Sequence, residues 1–191
     1  IEDDPLSWLY LGRAYEAVEN DELALDAYNH AGTLDAELPD VYYCRGMLYL
    51  ARGEGQNAVN DLLIARQHYP ESFHMRIALG RGLLAAERFQ DGFDTFTGAQ
   101  ELITNDSERA EYLYWRSFAL AKMGDAPRAL VSLQELFAAV DFEIPDEWRS
   151  KADELLTTLI TPTPSLSQTM SPTTGSSAAV TPSPPTPTPL Q

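Results

Sequence analysis

Cysteine is almost missing from this 191-residue chain. Cys44 stands alone, so no intrachain disulfide can form and no thiolate cage can hold a metal. Basic side chains are scarce as well. Thirteen lysines and arginines face 29 aspartates and glutamates, giving a formal net charge of -16. Such a balance repels phosphate backbones and anionic headgroups and argues against nucleic acid as a partner. No run of about 18 apolar residues occurs, so nothing here inserts directly into a membrane. Charge itself is missing from one end of the chain, because no acidic or basic residue follows Glu154.

That uncharged end is expected to be a separate region. Residues 161–191 hold eight of the thirteen prolines, and 22 of these 31 residues are Pro, Thr or Ser. With little apolar surface to bury, they are expected to form a disordered linker or stalk. At about 3.1 Å per residue, such a stalk reaches on the order of 100 Å.

The first 160 residues carry an internal repeat at an offset of 34. Gly12, Gly46 and Gly80 fall in step, as do Ala31, Ala65 and Ala99, then Ala24, Ala58 and Gly92, then Tyr15, Tyr49 and Leu83. A fourth copy begins near Ala110, three residues late, with Ser117, Leu120, Ala129 and Leu133 in the equivalent places. A glycine inside a helix costs roughly 0.8–1.0 kcal/mol relative to alanine, so three at one repeated place imply a packing reason. At about 100° per residue, Trp8, Leu11, Gly12 and Tyr15 share a stripe, large side chains around a small notch. Ala24, Tyr28 and Ala31 form a small-large-small stripe on the next helix, suited to seat against that notch. Asn20-Asp21, Gly53-Glu54-Gly55 and Asp125-Ala126-Pro127 divide each unit into two helices.

The run Trp8-Leu9-Tyr10-Leu11-Gly12-Arg13-Ala14-Tyr15 matches the W-x2-L-G-x2-Y signature, and the chain from 5 to 160 resembles the tetratricopeptide repeat family. Pro70 stands where that family closes its second helix, whereas Ala36 and Thr104 depart from the pattern. The resemblance implies an all-α, right-handed superhelix of four helical hairpins. The units are placed at about 5–38, 39–72, 73–109 and 110–144, with a capping helix over 145–160 built on Trp148, Ala152 and Leu155. No cap is visible at the other end. Together with the opening Ile1, this points to an excised or processed segment preceded by further repeats.

Other motifs yield to bland readings. Gly53-Glu54-Gly55-Gln56-Asn57-Ala58 and Gly80-Arg81-Gly82-Leu83-Leu84-Ala85 imitate a dinucleotide fingerprint but follow no strand, so no cofactor is expected. His30, His68 and His74 lack the spacing of a metal site. No serine or cysteine has a base and an orienting acid beside it, so no enzyme is expected, and Cys44 reads as a small hydrophobe. Asn105-Asp106-Ser107 is a glycosylation sequon in a loop.

The resemblance implies that the first helices of the units line a concave groove. The stripe about 80–160° from Trp8 nominates Leu9, Arg13, Tyr43, Met47, His74, Ile77, Arg81, Tyr114 and Phe118 as partner-binding residues. Leu9, Arg13, Tyr43 and Cys44 occupy the places where some family members clamp a terminal carboxylate with Lys and Asn, so that clamp is not expected. The implied function is a scaffold holding a peptide or protein segment. The alternative is a structural or self-assembly segment of a larger surface protein, associating through its uncapped first repeat. The tail, similar to spacers of bacterial surface proteins, favours an extracytoplasmic setting.

Overall fold

Each hairpin is opened and closed by local chemistry. In a computed structural model that describes residues 3–138 and 144–161, Asp4 accepts the Ser7 N–H at 2.8 Å, and Pro5 begins α1 (Pro5–Ala17). Asn20 caps α2 (Asp21–Leu34) and Pro39 begins α3 (Pro39–Ala51). There follow α4 (Gly55–His68), α5 (Phe73–Ala85), capped by Ser72, and α6 (Phe89–Ala99). A single 3-10 turn, Gln100–Leu102, leads to α7 (Asp106–Lys122). Asp125 caps α8 (Ala126–Phe137), and α9 (Asp146–Ile160) is the last described helix. The expected stalk lies, beyond Thr161, outside the described residues.

The turn within each hairpin is built the same way four times. Glu19, Gly53, Glu87 and Gly124 hold the left-handed conformation, with φ of 57°, 74°, 59° and 79°. The next residue donates its N–H back to the carbonyl five residues earlier: Asn20 to Tyr15, Glu54 to Tyr49, Arg88 to Leu83 and Asp125 to Leu120, all at 2.8–2.9 Å. This is the Schellman closure, which satisfies carbonyls that a helix end leaves open. That same next residue is the N-cap of the following helix. One residue therefore ends one helix and starts another, which makes the turn short and its angle reproducible.

The repeated glycines are sockets. A Cβ on Gly12 would fall 2.6 Å from Tyr28 Cδ1, one on Gly46 2.8 Å from Leu62 Cγ, and one on Gly80 2.7 Å from Phe96 Cδ1. Tyr28, Leu62 and Phe96 are fully buried plugs sixteen residues after their sockets. The seating expected for the Ala24, Tyr28 and Ala31 stripe is thus what occurs. In the fourth unit Ser117 takes the socket place, its Oγ donating to the Leu113 carbonyl at 2.6 Å, and Leu133 is the buried residue sixteen further on.

The fourth unit differs from the expected boundary. Its first helix starts at Asp106, not near Ala110, because Asn105 accepts the Glu108 N–H at 3.0 Å and caps it there. That helix has 17 residues against 13 in α1, α3 and α5. α7 gains four residues ahead of its socket place and the loop before it is one residue shorter, which together account for the three extra residues, while α6 and the 3-10 turn together keep the length of α4. Asn105, the sequon asparagine, is thereby a cap and not a free loop residue.

Packing places the helices in two layers. Each helix contacts its chain neighbours, and α1, α3, α5, α7 and α9 also touch in succession, whereas the even-numbered helices make at most marginal contact with each other. A ribbon whose odd helices close up while its even helices splay bends toward the odd layer, so the odd helices line the inner face. The last of them, α9, buries Trp148, Ala152 and Leu155 against α7 and α8.

Candidate functional site

The inner face is where side chains from successive units meet. Between α1 and α3 lies a cleft of about 760 Å³, walled by Leu6, Leu9, Tyr10 and Arg13 on one side and by Tyr43, Cys44 and Met47 on the other, with Glu16 and Asp40 at its edges. Leu9 forms the buried floor, Tyr43 and Met47 are half-buried, and Tyr10 is 61% exposed. Burial pushes the Cys44 thiol up to about 11 and raises the Tyr43 phenol above its ordinary range. Both stay neutral near pH 7, so the cleft wall they form is uncharged.

The Glu16 carboxylate is held by the Tyr28 hydroxyl, which donates to it at 2.7 Å from inside the first hairpin. Arg13 stands in contrast. Its guanidinium is exposed and makes no ion pair among the described residues. Arg45, on the same helix as Tyr43, is fully engaged: it grips Asp61 with two bonds of 2.7 and 2.8 Å and reaches Asn29 at 2.7 Å. This bidentate pair ties α2, α3 and α4 together and is structural.

A second depression, of about 310 Å³, opens between α7 and α9, lined by Tyr114, Phe118, Lys122, Lys151, Leu155 and Leu159 among others. Aromatic rings crowd its base. Tyr114 lies 5.0 Å from Trp115 and 5.5 Å from Trp148, and Phe118 lies 5.7 Å from Trp115. Cations cover the rings: Arg81 over Trp115 at 5.2 Å, Lys122 over Phe118 at 5.2 Å and Lys151 over Trp148 at 4.3 Å. Such stacking uses the face of the guanidinium or ring and leaves the edge N–H donors free. Glu111, near Arg81, has its carboxyl pushed up by burial.

The nominated residues therefore divide. Leu9, Arg13, Tyr43 and Met47 share the first cleft, and Tyr114 and Phe118 share the second. Arg81 lies between them on α5. Ile77 is only 2% exposed and packs in the core, with no surface left for a partner. His74 is exposed at the start of α5, its Nδ1 4.0 Å from Glu108 Oε1. Lys122, Lys151, Leu155 and Leu159 are not among the nominated residues, although they line the second depression. Lys122 follows Phe118 by one helical turn on α7, and the other three join the depression only once α9 docks. Among the described residues, no three His, Cys, Asp or Glu side chains gather to hold a metal, and no helix is long and apolar enough to cross a membrane.

Charge is distributed unevenly between the odd helices and the rest of the chain. The odd helices carry nine of the thirteen basic residues and nine of the 29 acidic ones, so they are neutral as a set. The net charge of -16 belongs wholly to the rest of the chain.

Solved structures bear on the architecture. The chain is similar to TTC0263, a thermophilic TPR protein of Thermus thermophilus, with 19% identity and a TM-score of 0.64, covering 81% of this chain and 82% of that one. It is also similar to a MamA structure from Desulfovibrio magneticus RS-1, with 17% identity, a TM-score of 0.67, and 74% and 80% of the two chains covered. The MamA of strain MSR-1 gives 21% identity and a TM-score of 0.61 over 81% of this chain and 78% of that one. The fold is the tetratricopeptide-repeat (TPR) fold. No family model matches the sequence, and no curated protein is similar enough to it to count as a relative. In TPR terms, the odd helices are the first helices of each unit and the even ones the second. The sockets Gly12, Gly46 and Gly80 are where the two meet.

Proposed function

We propose that this TPR domain is a protein-interaction scaffold that holds an extended segment of another protein along its odd-helix face. The observation that carries this reading is the cleft between α1 and α3. Its size suits a few side chains, its walls are apolar and aromatic, and the Arg13 guanidinium, without an ion pair among the described residues, stands at its rim. Aromatic and arginine side chains at a concave surface are the usual anchors of peptide recognition. Nothing in the cleft arranges a nucleophile with a base, so the function proposed is binding without turnover.

Selection of peptides from a displayed library on the folded domain, followed by measurement on variants, tests the reading. Tyr10→Ala with Met47→Ala is expected to weaken selected peptides by about 2 kcal/mol, roughly thirtyfold. Tyr10→Ala alone should leave the thermal midpoint nearly unchanged, because Tyr10 is mostly exposed, and it separates lost binding from the loss of stability expected of the half-buried Met47. Peptides that bind the double variant as well as the wild type would place the site elsewhere.

A second reading, self-association through the first repeat, draws on the exposure of Leu6 at 44% and Tyr10 at 61% on α1. It predicts concentration-dependent sedimentation that Tyr10→Glu abolishes. A monomer at all concentrations would end it.

A further inference from the structure

Arg13, Met47 and Arg81 occupy one repeat position in the first three units, each separated from the next by 34 residues. The helices that carry them, α1, α3 and α5, touch in succession on the inner face. Most other arginines are committed: Arg45 to Asp61, Arg52 to Glu54, Arg88 to Asp91, Arg116 to Glu135, Arg128 to Asp125 and Arg76 to backbone carbonyls. Arg13 and Arg81 make no ion pair among the described residues. Arg66 and Arg149 are likewise without one, but they sit on α4 and α9, away from this row. In a chain with 29 acidic residues, two guanidinium groups left uncommitted at the same register are a feature to be explained.

Their setting differs from that of a solvated surface charge. The Arg81 guanidinium carbon stands 5.2 Å from the centre of the Trp115 ring, a cation–π contact that engages none of its N–H donors in an ion pair. Arg13 borders the cleft floored by Leu9. Among the described residues no acidic group forms an ion pair with either arginine: the Glu16 carboxylate accepts from the Tyr28 hydroxyl, and Glu111 acts on Arg81 only from beyond ion-pair distance. Between the two arginines lie Tyr43 and Met47, half-buried and apolar.

We infer that the segment held on this face carries two carboxylate side chains flanking an apolar one, with Arg13 and Arg81 each taking a carboxylate and the Tyr43–Met47 wall taking the apolar group. This rests on the groove reading above and specifies its ligand. Neighbouring helices pack 8–10 Å apart, which sets the two arginines about 16–20 Å from each other, two helix spacings. An extended chain covers that span in about five to six residues. The fitting ligand is therefore an internal acidic–apolar–acidic segment, not a chain terminus, and it runs across the helices.

The test uses fluorescein-labelled synthetic peptides with a central leucine and two glutamates, their separation varied from about two to about ten residues, read by anisotropy on the intact chain. Affinity is expected to peak near a separation of five to six. Replacing either glutamate by glutamine should cost about tenfold. Arg13→Gln and Arg81→Gln should each cost a similar factor for the wild-type peptide, but nothing further for the peptide that lacks the matching glutamate. Arg81→Lys, which keeps the charge and loses the planar fork, should recover only part of the loss. Peptides that bind regardless of glutamate spacing, yet are lost on Met47→Ala, would overturn the two-carboxylate inference and leave the groove reading standing. Selected peptides of any charge whose affinity ignores both Met47→Ala and the arginine variants would overturn both.

Discussion

The socket-and-plug contact assigns each repeated glycine a steric role that can be graded. Adding a methyl group to a helical glycine gains roughly 1 kcal/mol of propensity, whereas overpacking a core costs about 1–3 kcal/mol. Which effect wins depends on how the plug yields. Tyr28 and Phe96 are rigid rings with no room to retreat, while Leu62 can change rotamer. Gly12→Ala and Gly80→Ala are expected to destabilise the domain by about 2 kcal/mol, and Gly46→Ala by less than half of that. Phe96→Leu should partly rescue Gly80→Ala. Thermal and urea melts of the four variants check the order.

Another residue-scale expectation concerns acid. Glu108 is almost fully buried, and burial pushes its carboxyl up. The Thr104 N–H at 2.8 Å and hydroxyl at 2.9 Å nevertheless bring it below the ordinary range. A carboxyl whose pKa is depressed by folding contributes stability that is present above its unfolded pKa and is lost as pH falls through the folded one. Glu108→Gln should therefore narrow the stability difference between neutral pH and about pH 3, with most of the change below pH about 4.5. Urea titrations at the two pH values show whether it does.

Among elements, the hairpin turns repay comparison because two of the four use an awkward residue. The left-handed conformation costs a side-chain-bearing residue about 1–2 kcal/mol, part of which glycine returns through greater freedom in the unfolded chain. Glu19→Gly and Glu87→Gly are each expected to stabilise the domain by about 0.5–1 kcal/mol, and Gly53→Ala and Gly124→Ala to destabilise it by about 1 kcal/mol. Denaturant midpoints at constant slope give the answer.

These turns also show where sequence reading reaches its limit. Gly53 and the caps Asn20 and Asp125 are visible because their residue types have the right local chemistry. Glu19 and Glu87 are not turn formers, and only the 34-residue step relates them to Gly53. The same holds for the site. Leu9 and Ile77 lie on one stripe at equivalent register and both are buried, yet Leu9 still floors a cleft, whereas Ile77 on α5 is covered by the packing of α3 and α7 to either side. Helical angle alone cannot separate a side chain facing a cleft from one facing the next unit. Arg45–Asp61 escaped notice for a related reason: neither neighbouring unit repeats it, Leu11 with Ala27 and Leu79 with Thr95 taking its place.

At the scale of the whole domain, the ribbon depends on its last helix. Without α9, the aromatic surface around Tyr114 and Trp115 would meet water, the exposure that a capping element of a repeat stack prevents. Trp148 stands at the centre of that contact, with Lys151 across its face. Trp148→Ala is expected to cost about 3 kcal/mol and to promote association of the exposed ends, measurable by chemical denaturation and light scattering.

The neutrality of the odd helices has a practical consequence. A domain whose excess negative charge resides entirely off its odd helices should orient itself when it adsorbs. A cationic resin would draw in the connecting segments first, since they and the chain ends hold more of that excess than the even helices do, and the odd-helix face with its cleft between α1 and α3 would be the last to be covered.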